Sequence, residues 1–281
     1  MKNKIPKLIM FTCDESIWIT YFTTRLWTKY LKDLKILVLG YNNLVNNYES
    51  NVEFVSLGKK RNLKTWFNDI SNYLKTLNDD IIIYSPDDYC LKNSVNEKFL
   101  DFALDYLKKF KVANIYCSLR QMKKNAVKLV DENHKFKIYE CPIIPNLSYC
   151  SIWNKKCLTN LLGADFTNFD KYPIKKWMLN KKIASTYYFA HYEYYAKKII
   201  NSFEEYKEYK FIFMKKYNKL EVLDTIKSPG LLSRMKYSDN VCLDDINKKD
   251  INFFYDIKHS NYLKANIIFG KDKNGNFILK H

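Results

Sequence analysis

Arginine is scarce in this chain. Only four of the 281 residues are Arg, at Arg25, Arg61, Arg120 and Arg234, so 43 of the 47 basic residues are Lys. Lysine is a solvated point charge, whereas reading base edges and clamping phosphates favour the planar Arg fork. The net charge of +17 therefore speaks for attraction to anions in general: nucleotide-linked substrates, an acidic polymer, an anionic membrane face or nucleic acid. A solvated lysine surface on a chain also rich in Asn, Ile and Tyr accounts for the charge equally well. Histidine is scarcer than lysine by tenfold, with four residues at His134, His191, His259 and His281. There is no H-E-x-x-H pattern, which argues against a His-rich metal centre. The seven cysteines (Cys13, Cys90, Cys117, Cys141, Cys150, Cys157 and Cys242) are odd in number and contain no C-x-x-C pair. That spacing fits neither a disulfide framework nor a zinc site, and predicts reduced, mostly buried thiols. No stretch approaches the ~20 apolar residues of a membrane span. After Met1 to Lys4 only the short run Leu8 to Phe11 precedes Cys13 and Asp14, which does not read as a signal peptide. The expectation is a cytoplasmic protein, or one held peripherally at an anionic membrane face.

What is present is a core. Apolar residues make up 47% and aromatics 16% of the chain, enough for one large α/β domain with a C-terminal extension. Residues 6–13 read as a strand, and Asp14-Glu15-Ser16 can cap the amphipathic run Ile17 to Leu31. Leu34 to Leu39 and Val52 to Leu57 are apolar runs closed by Gly40 and Gly58, as buried strands ending in loops. From Asn62, the residues Leu63, Trp66, Phe67, Ile70, Tyr73, Leu74 and Leu77 fall at helical spacing. Asp80 to Cys90, DIIIYSPDDYC, then runs as a strand into two adjacent carboxylates. Ser94 to Phe110 repeats the helical pattern and Ala113 to Ser118 reads as a strand, so residues 6–118 alternate as a βαβ sheet requires. Residues 120–137 read as a loop or weak helix. Phe136 to Pro142 and Leu147 to Trp153 are expected to pair as strands, Asn154 to Leu162 to form a helix ended by Gly163, Tyr187 to Tyr209 a long helix, and Lys210 to Met214 a strand. The expected division is 1–215 for the sheet domain and 216–281 for an extension packed on it.

Two adjacent Asp at a strand end can supply oxygen ligands to Mg²⁺ or Mn²⁺, which neutralises a diphosphate. Successive strand side chains point to opposite faces, so both reach one cleft only if the chain turns there, and Pro86 favours a turn. Capping of the following loop by Asp87 and Asp88 is the competing reading.

Several segments together resemble the GT-A-type nucleotide-sugar glycosyltransferases, in particular the bacterial and viral capsule or polysaccharide type. LIMFTCDES is similar to that group's first strand and its turn. VSLGKKRNLKTWFNDISNYLKTLNDDIIIYSPDDYCL is similar to its Gly loop, Trp-bearing helix and strand running into an Asp-Asp-Tyr motif. LSYCSIWNKKCLTNLL and HYEYYAKKI resemble a later strand-helix unit and an acid-bearing helix. The resemblance implies a single GT-A-like, Rossmann-like mixed sheet flanked by helices, and a hexosyl- or pentosyltransferase using a nucleoside-diphosphate sugar and a hydroxyl acceptor such as a glycan. By that resemblance Asp88, with Asp87 beside it, holds Mn²⁺ or Mg²⁺ on the diphosphate. Thr12, Cys13, Asp14 and the loop at Gly58 line the nucleotide pocket, and Glu193 is the general base in an inverting displacement. The family's Asp-x-Asp is Pro86-Asp87-Asp88 here, without the first acid, so lysines stabilising the leaving diphosphate are the alternative to a metal. TIKSPGLL, Thr225 to Leu232, resembles a loop closing over the nucleotide, which implicates Lys227 and Gly230.

Each of these residues has a structural reading beside the functional one. Glu193 can pair with Lys197 one helical turn on. Trp153 is a core residue or an acceptor-stacking face, and His191 a surface residue or an acceptor contact. The second function class is a nucleic-acid-directed protein, either a binder or a sugar transferase acting on modified bases, for which the charge speaks and the lack of Arg and of a binding motif does not. A third is a non-catalytic member of the same fold that binds glycans or partners.

Overall fold

The computed structural model describes residues 4–13, 17–42, 48–59, 62, 65–91, 94–117, 128–132, 136–141, 150–164, 196–216, 222–223, 225–227, 269–271 and 277–279. Two compact units divide the chain, Met1–Thr225 and Ile226–His281.

The first unit begins as alternating strands and helices: β1 (Leu8–Phe11), α1 (Ile17–Tyr30), β2 (Ile36–Gly40), β3 (Val52–Ser56), α2 (Trp66–Thr76) and β4 (Ile81–Pro86). A short return strand β5 (Tyr89–Leu91) follows, then α3 (Glu97–Lys109) and β6 (Val112–Tyr116). Its other described elements are β7 (Lys128–Glu132), β8 (Phe136–Glu140), β9 (Ser151–Asn154), α4 (Lys155–Leu162) and β10 (Lys210–Lys216), and the chain passes from this unit to the second within β11 (Thr225–Lys227). Among the described residues, nine strands form one sheet in the order β3-β2-β1-β4-β9-β6-β10-β8-β7. β3, β2, β1 and β4 are mutually parallel, β9 runs antiparallel between β4 and β6, and β10 is parallel to β6 and antiparallel to β8. The protein is thus a mixed α/β fold with a large central sheet and flanking helices. In the second unit β12 (Phe269–Lys271) and β13 (Phe277–Leu279) form an antiparallel pair.

The two-residue period of the strands sorts their side chains. Ile9 and Phe11 of β1, Leu37 and Leu39 of β2, and Ile82 and Tyr84 of β4 join one core with α2 and α4. Met10, between Ile9 and Phe11, meets α1 on the other face, where Thr23 donates to its Sδ at 3.6 Å. Because both faces are covered, β1 and β2 are buried at every position and read as continuous apolar runs. α2 and α4 cross closely: Ser71 Oγ donates to the Thr159 carbonyl at 2.9 Å, and a Cβ at Gly163 would lie 2.8 Å from Ser71 Oγ and 3.2 Å from that carbonyl oxygen. Asn96 and Asn154 cap α3 and α4, each side chain accepting a backbone N–H three residues on, from Phe99 and Cys157.

Four expectations need correction. The run Phe136–Pro142 and the run Leu147–Trp153 do not pair with each other: β8 pairs with β10 and β7, and β9 inserts between β4 and β6. Lys128–Glu132, inside the stretch read as loop or weak helix, is the edge strand β7. Its exposed side chains suit an edge, where charge blocks further pairing. The helix expected through Tyr209 does not continue past Ile200; turns and a 3-10 segment at Glu204–Tyr206 follow it. Trp153 is wholly buried, edge-on to Phe211 at 6.0 Å with its indole N–H on Ser151 Oγ at 2.8 Å. A ring enclosed between β4 and β6 offers no face to a sugar, so its role is packing rather than acceptor stacking.

Among the described residues no helix is long and apolar enough to cross a membrane. Cys90, Cys117, Cys141, Cys150 and Cys157 are buried free thiols and Cys13 is half-buried. Burial pushes the thiols of Cys141 and Cys157 up to about 12, which keeps them protonated and unreactive.

Candidate functional site at the carboxyl edge of the sheet

Strand order places a cleft before any side chain is considered. The chain leaves β1 to build β2 and β3 on one side, then returns to lay β4 on the other. In open α/β sheets a ligand crevice lies outside the carboxyl ends of the strands at such a reversal. Register brings the ends level, with Phe11 opposite both Leu39 and Pro86. The next residues are Thr12, Gly40 and Asp87.

There Thr12 Oγ1 donates to Asp87 Oδ2 at 2.8 Å. Thr12 is only 2% exposed and its backbone N–H is held by the Leu39 carbonyl at 3.0 Å, so the donor position is rigid. Gly40 makes room for it: a Cβ there would meet Thr12 Cγ2 at 3.1 Å and the Phe54 ring at 3.0 Å. Asp87 and Asp88 occupy the turn between β4 and β5 and are both half-buried. The chain doubles back at this point, as Pro86 suggests, and β5 is tied down by the indole N–H of Trp27 donating to the Tyr89 carbonyl at 3.0 Å. The carboxylates therefore sit on an anchored turn.

Tyr48 adds a second layer. Its hydroxyl lies 2.5 Å from Thr20 Oγ1 of α1. Burial, with the Asp87 charge adding to it, pushes its phenol up to about 12 against the opposing effect of the Thr20 hydrogen bond. The phenol of Tyr48 is therefore neutral and close enough to feel the Asp87 charge. Neither Tyr48, Thr20 nor Gly40 stands out in the sequence as a site residue, because no local pattern links positions 12, 20, 40, 48 and 87. At the neighbouring ends, the Leu57 N–H bonds to the Gly40 carbonyl at 2.7 Å and Ser56 Oγ donates to the Tyr41 carbonyl at 2.9 Å. Gly58, at φ +139° in a region that favours glycine, follows on the same edge.

The fold thus gathers Thr12, Cys13, Gly58, Asp87 and Asp88 at one edge. Asp14, His191 and Glu193 lie outside the described residues, and so does Gly230. Lys227 ends β11 and belongs to the second unit. Lys197, the sequence-level partner for Glu193, instead pairs with Glu140 at 2.8 Å. Its ammonium holds the Glu140 carboxyl below the usual range.

Among the described residues no three His, Cys, Asp or Glu side chains form a metal-holding group. Mg²⁺ needs fewer, because it is commonly bound by one or two carboxylates with water and substrate phosphate completing its shell. The hard oxygens of Asp87 and Asp88, adjacent on an anchored turn, fit that requirement.

No protein-family profile matches the chain, and no curated protein matches it. Solved structures are similar in architecture. One is the galactosyltransferase LgtC in complex with donor and acceptor sugar analogues, at 11% identity and a TM-score of 0.33, over 53% of this chain and 58% of that one. A second is a cytidylyltransferase from Leptospira borgpetersenii, at 14% identity and a TM-score of 0.42, over 94% and 97% of the two chains. A third is the mannosyltransferase PcManGT from Pyrobaculum calidifontis in complex with GDP-Man and Mn²⁺, at 14% identity and a TM-score of 0.36, over 57% of this chain and 48% of that one. The protein therefore spans less than two thirds of the length of either glycosyltransferase. These neighbours carry sugar- and nucleotide-transfer names, and the functional reading of this chain rests on its own sheet edge.

Proposed function

We propose that the protein is a glycosyltransferase that moves a sugar from a nucleoside-diphosphate sugar to a hydroxyl acceptor at the carboxyl edge of β1 and β4. The observation that supports it is the hydrogen bond from Thr12 to Asp87 at the strand-order reversal, with Asp88 next in the same turn. A hydroxyl donor orients a carboxylate without cancelling its charge, as a metal ligand requires. Asp88, with Asp87, holds Mn²⁺ or Mg²⁺, which when bound neutralises the diphosphate of the donor. α1 starts over the same edge, and its amino-terminal dipole favours the donor's negative charge. Thr12, Cys13, Asp14 and the Gly58 loop take the nucleotide. Glu193 accepts the proton of the acceptor hydroxyl as its oxygen bonds to the anomeric carbon and the nucleoside diphosphate departs. His191 contacts the acceptor.

Incubation of the full chain with a panel of nucleoside-diphosphate sugars, with and without Mn²⁺, tests this through release of the nucleoside diphosphate. Turnover of at least one donor is expected, reduced by about 10²–10³-fold in Asp88→Ala, the scale of removing one preorganised charge-stabilising group. Absence of binding and hydrolysis for every donor would falsify the proposal.

A further inference from the structure

The opposite edge of the sheet carries a cavity that the proposed transfer reaction does not use. It has a volume of about 410 Å³ and lies where β4 begins, β9 ends and α3 terminates, lined among others by Ile81, Asn154 and Phe110. Asp87 lies six residue steps along the chain from Ile81, which puts about 20 Å between this cavity and the carboxyl edge.

Its lining is aromatic and planar-polar. Phe110 is 46% exposed, one of two large apolar side chains so exposed among the described residues. Tyr206 and Tyr209 stand edge-to-face, with centroids 5.0 Å apart at 89°. Such a pair is rigid and contributes apolar surface at little entropic cost. Burial pushes the Tyr206 phenol well above its ordinary value, and its hydrogen bond to Glu205 adds to this, so the phenol is neutral and fixes the Glu205 carboxylate on the cavity wall. Asp80, Asn154 and Glu205 supply carboxylate and amide groups, while Lys108 and Lys156 balance the two acids. A lining with equal charges of both signs selects neither an anion nor a cation. It suits a neutral ring with one C–H face for an aromatic side chain and a rim of hydroxyls for planar acceptors and donors.

We infer that this amino-edge cavity, lined by Phe110, Tyr206, Tyr209, Asp80, Asn154 and Glu205, is a binding site for a neutral saccharide, distinct from the carboxyl edge. The inference stands on the cavity's own chemistry and does not depend on sugar transfer at the other edge. The volume is at the lower end for small-ligand pockets, the size for one or two sugar rings. Asn154 plays two parts, because its Oδ1 caps α4 by accepting the Cys157 N–H at 3.2 Å while its amide N–H₂ remains a donor group on the cavity wall.

Saturation-transfer NMR on the full chain tests this, with methyl β-D-glucopyranoside, methyl β-D-galactopyranoside, methyl α-D-mannopyranoside and N-acetylglucosamine as probes and inorganic phosphate as the anionic competitor. At least one glycoside is expected to bind with Kd on the order of 1 mM, with the same affinity in Asp88→Ala and in the presence of phosphate. Phe110→Ala and Glu205→Gln are each expected to weaken it by about tenfold. Phe110 and Glu205 are both exposed, so these variants retain the fold, and far-UV circular dichroism checks it. Three outcomes overturn the inference: no glycoside binds, binding is unchanged in both variants, or phosphate displaces the glycoside. Loss in Asp88→Ala with Phe110→Ala unaffected also overturns it, by assigning the sugar to the carboxyl edge. Donor turnover is a separate measurement, so failure of the transfer proposal and failure of this one are distinguishable.

Discussion

β1 and β4 are bridged at both ends, and the two bridges differ in kind. At their amino ends Lys7 pairs with Asp79 at 2.8 Å, both side chains partly exposed. At their carboxyl ends Thr12 donates to Asp87, also at 2.8 Å, from a position almost closed to water. The ion pair satisfies each charge with the other and sits where water screens it, so it contributes little. The hydroxyl–carboxylate bond sets the direction of a carboxylate and leaves its charge in place. Equal distances on one pair of strands thus mark a staple at one end and an oriented acid at the other.

The sharpest way to break this contrast is to remove an acid at each end. Asp88→Ala is expected to reduce donor turnover by the two to three decades stated above, while Asp79→Ala leaves turnover unchanged and costs no more than about 1 kcal/mol in urea unfolding. Equal losses of turnover in the two variants would dissolve the distinction. A smaller effect separates orientation from mere packing at Thr12. Thr12→Val keeps the shape but removes the donor to Asp87, with turnover expected to drop by about tenfold through the loss of one hydrogen bond to a charged group. Thr12→Ser, which keeps the hydroxyl, is expected to restore most of it, whereas equal impairment of both variants at unchanged stability points to the methyl group instead.

The smallest effect concerns an ion pair distant from both ends. Lys197 holds the Glu140 carboxyl below its ordinary value. A carboxyl depressed in the folded state stabilises it above the unfolded value and loses that contribution as pH falls through the folded one. Lys197→Met is therefore expected to cost at most about 1 kcal/mol above roughly pH 5, because the pair is partly exposed. The difference from the wild type should shrink to nothing as the solution is acidified below the folded value. A difference that persists unchanged in acid would assign the loss to the lysine stem rather than to its charge.

Legibility followed the range of the contacts. The alternation through residue 118 could be read because each strand and helix there announces itself within a few residues. Leu8 to Phe11, Ile36 to Leu39 and Ile81 to Tyr84 are apolar runs, and Trp66, Phe67, Ile70 and Leu74 recur at helical spacing on one buried face. Asn154 and Gly163 bounded α4 correctly for the same reason, since a cap is local chemistry. The second half of the sheet was misread where pairing is distant. β9 looks like the partner of β8 because the two apolar runs lie only ten residues apart in the chain, yet its two partners come from residues 81–84 and 114–116. Its insertion between β4 and β6 also encloses Trp153 on both sides, which no reading of Ile-Trp-Asn alone reveals.

The same limit explains the site. Asp87 and Asp88 are visible as acids after an apolar run, and Pro86 as the reason for a turn. That Thr12 supplies the hydrogen bond, that Gly40 must be small beside it, and that Tyr48 stands on Thr20 depend on register between strands and a helix widely separated in the chain. The sequence by itself determined the strands and helices through residue 118, the bounds of α4 and where two acids end a buried strand, because periodicity, caps and turns are properties of neighbours. Only the tertiary structure decided that β1 and β4 lie side by side and that Trp153 is enclosed. It also placed an aromatic cavity at the far edge, because strand order is fixed by cooperative packing among residues whose chemistry does not name their partners.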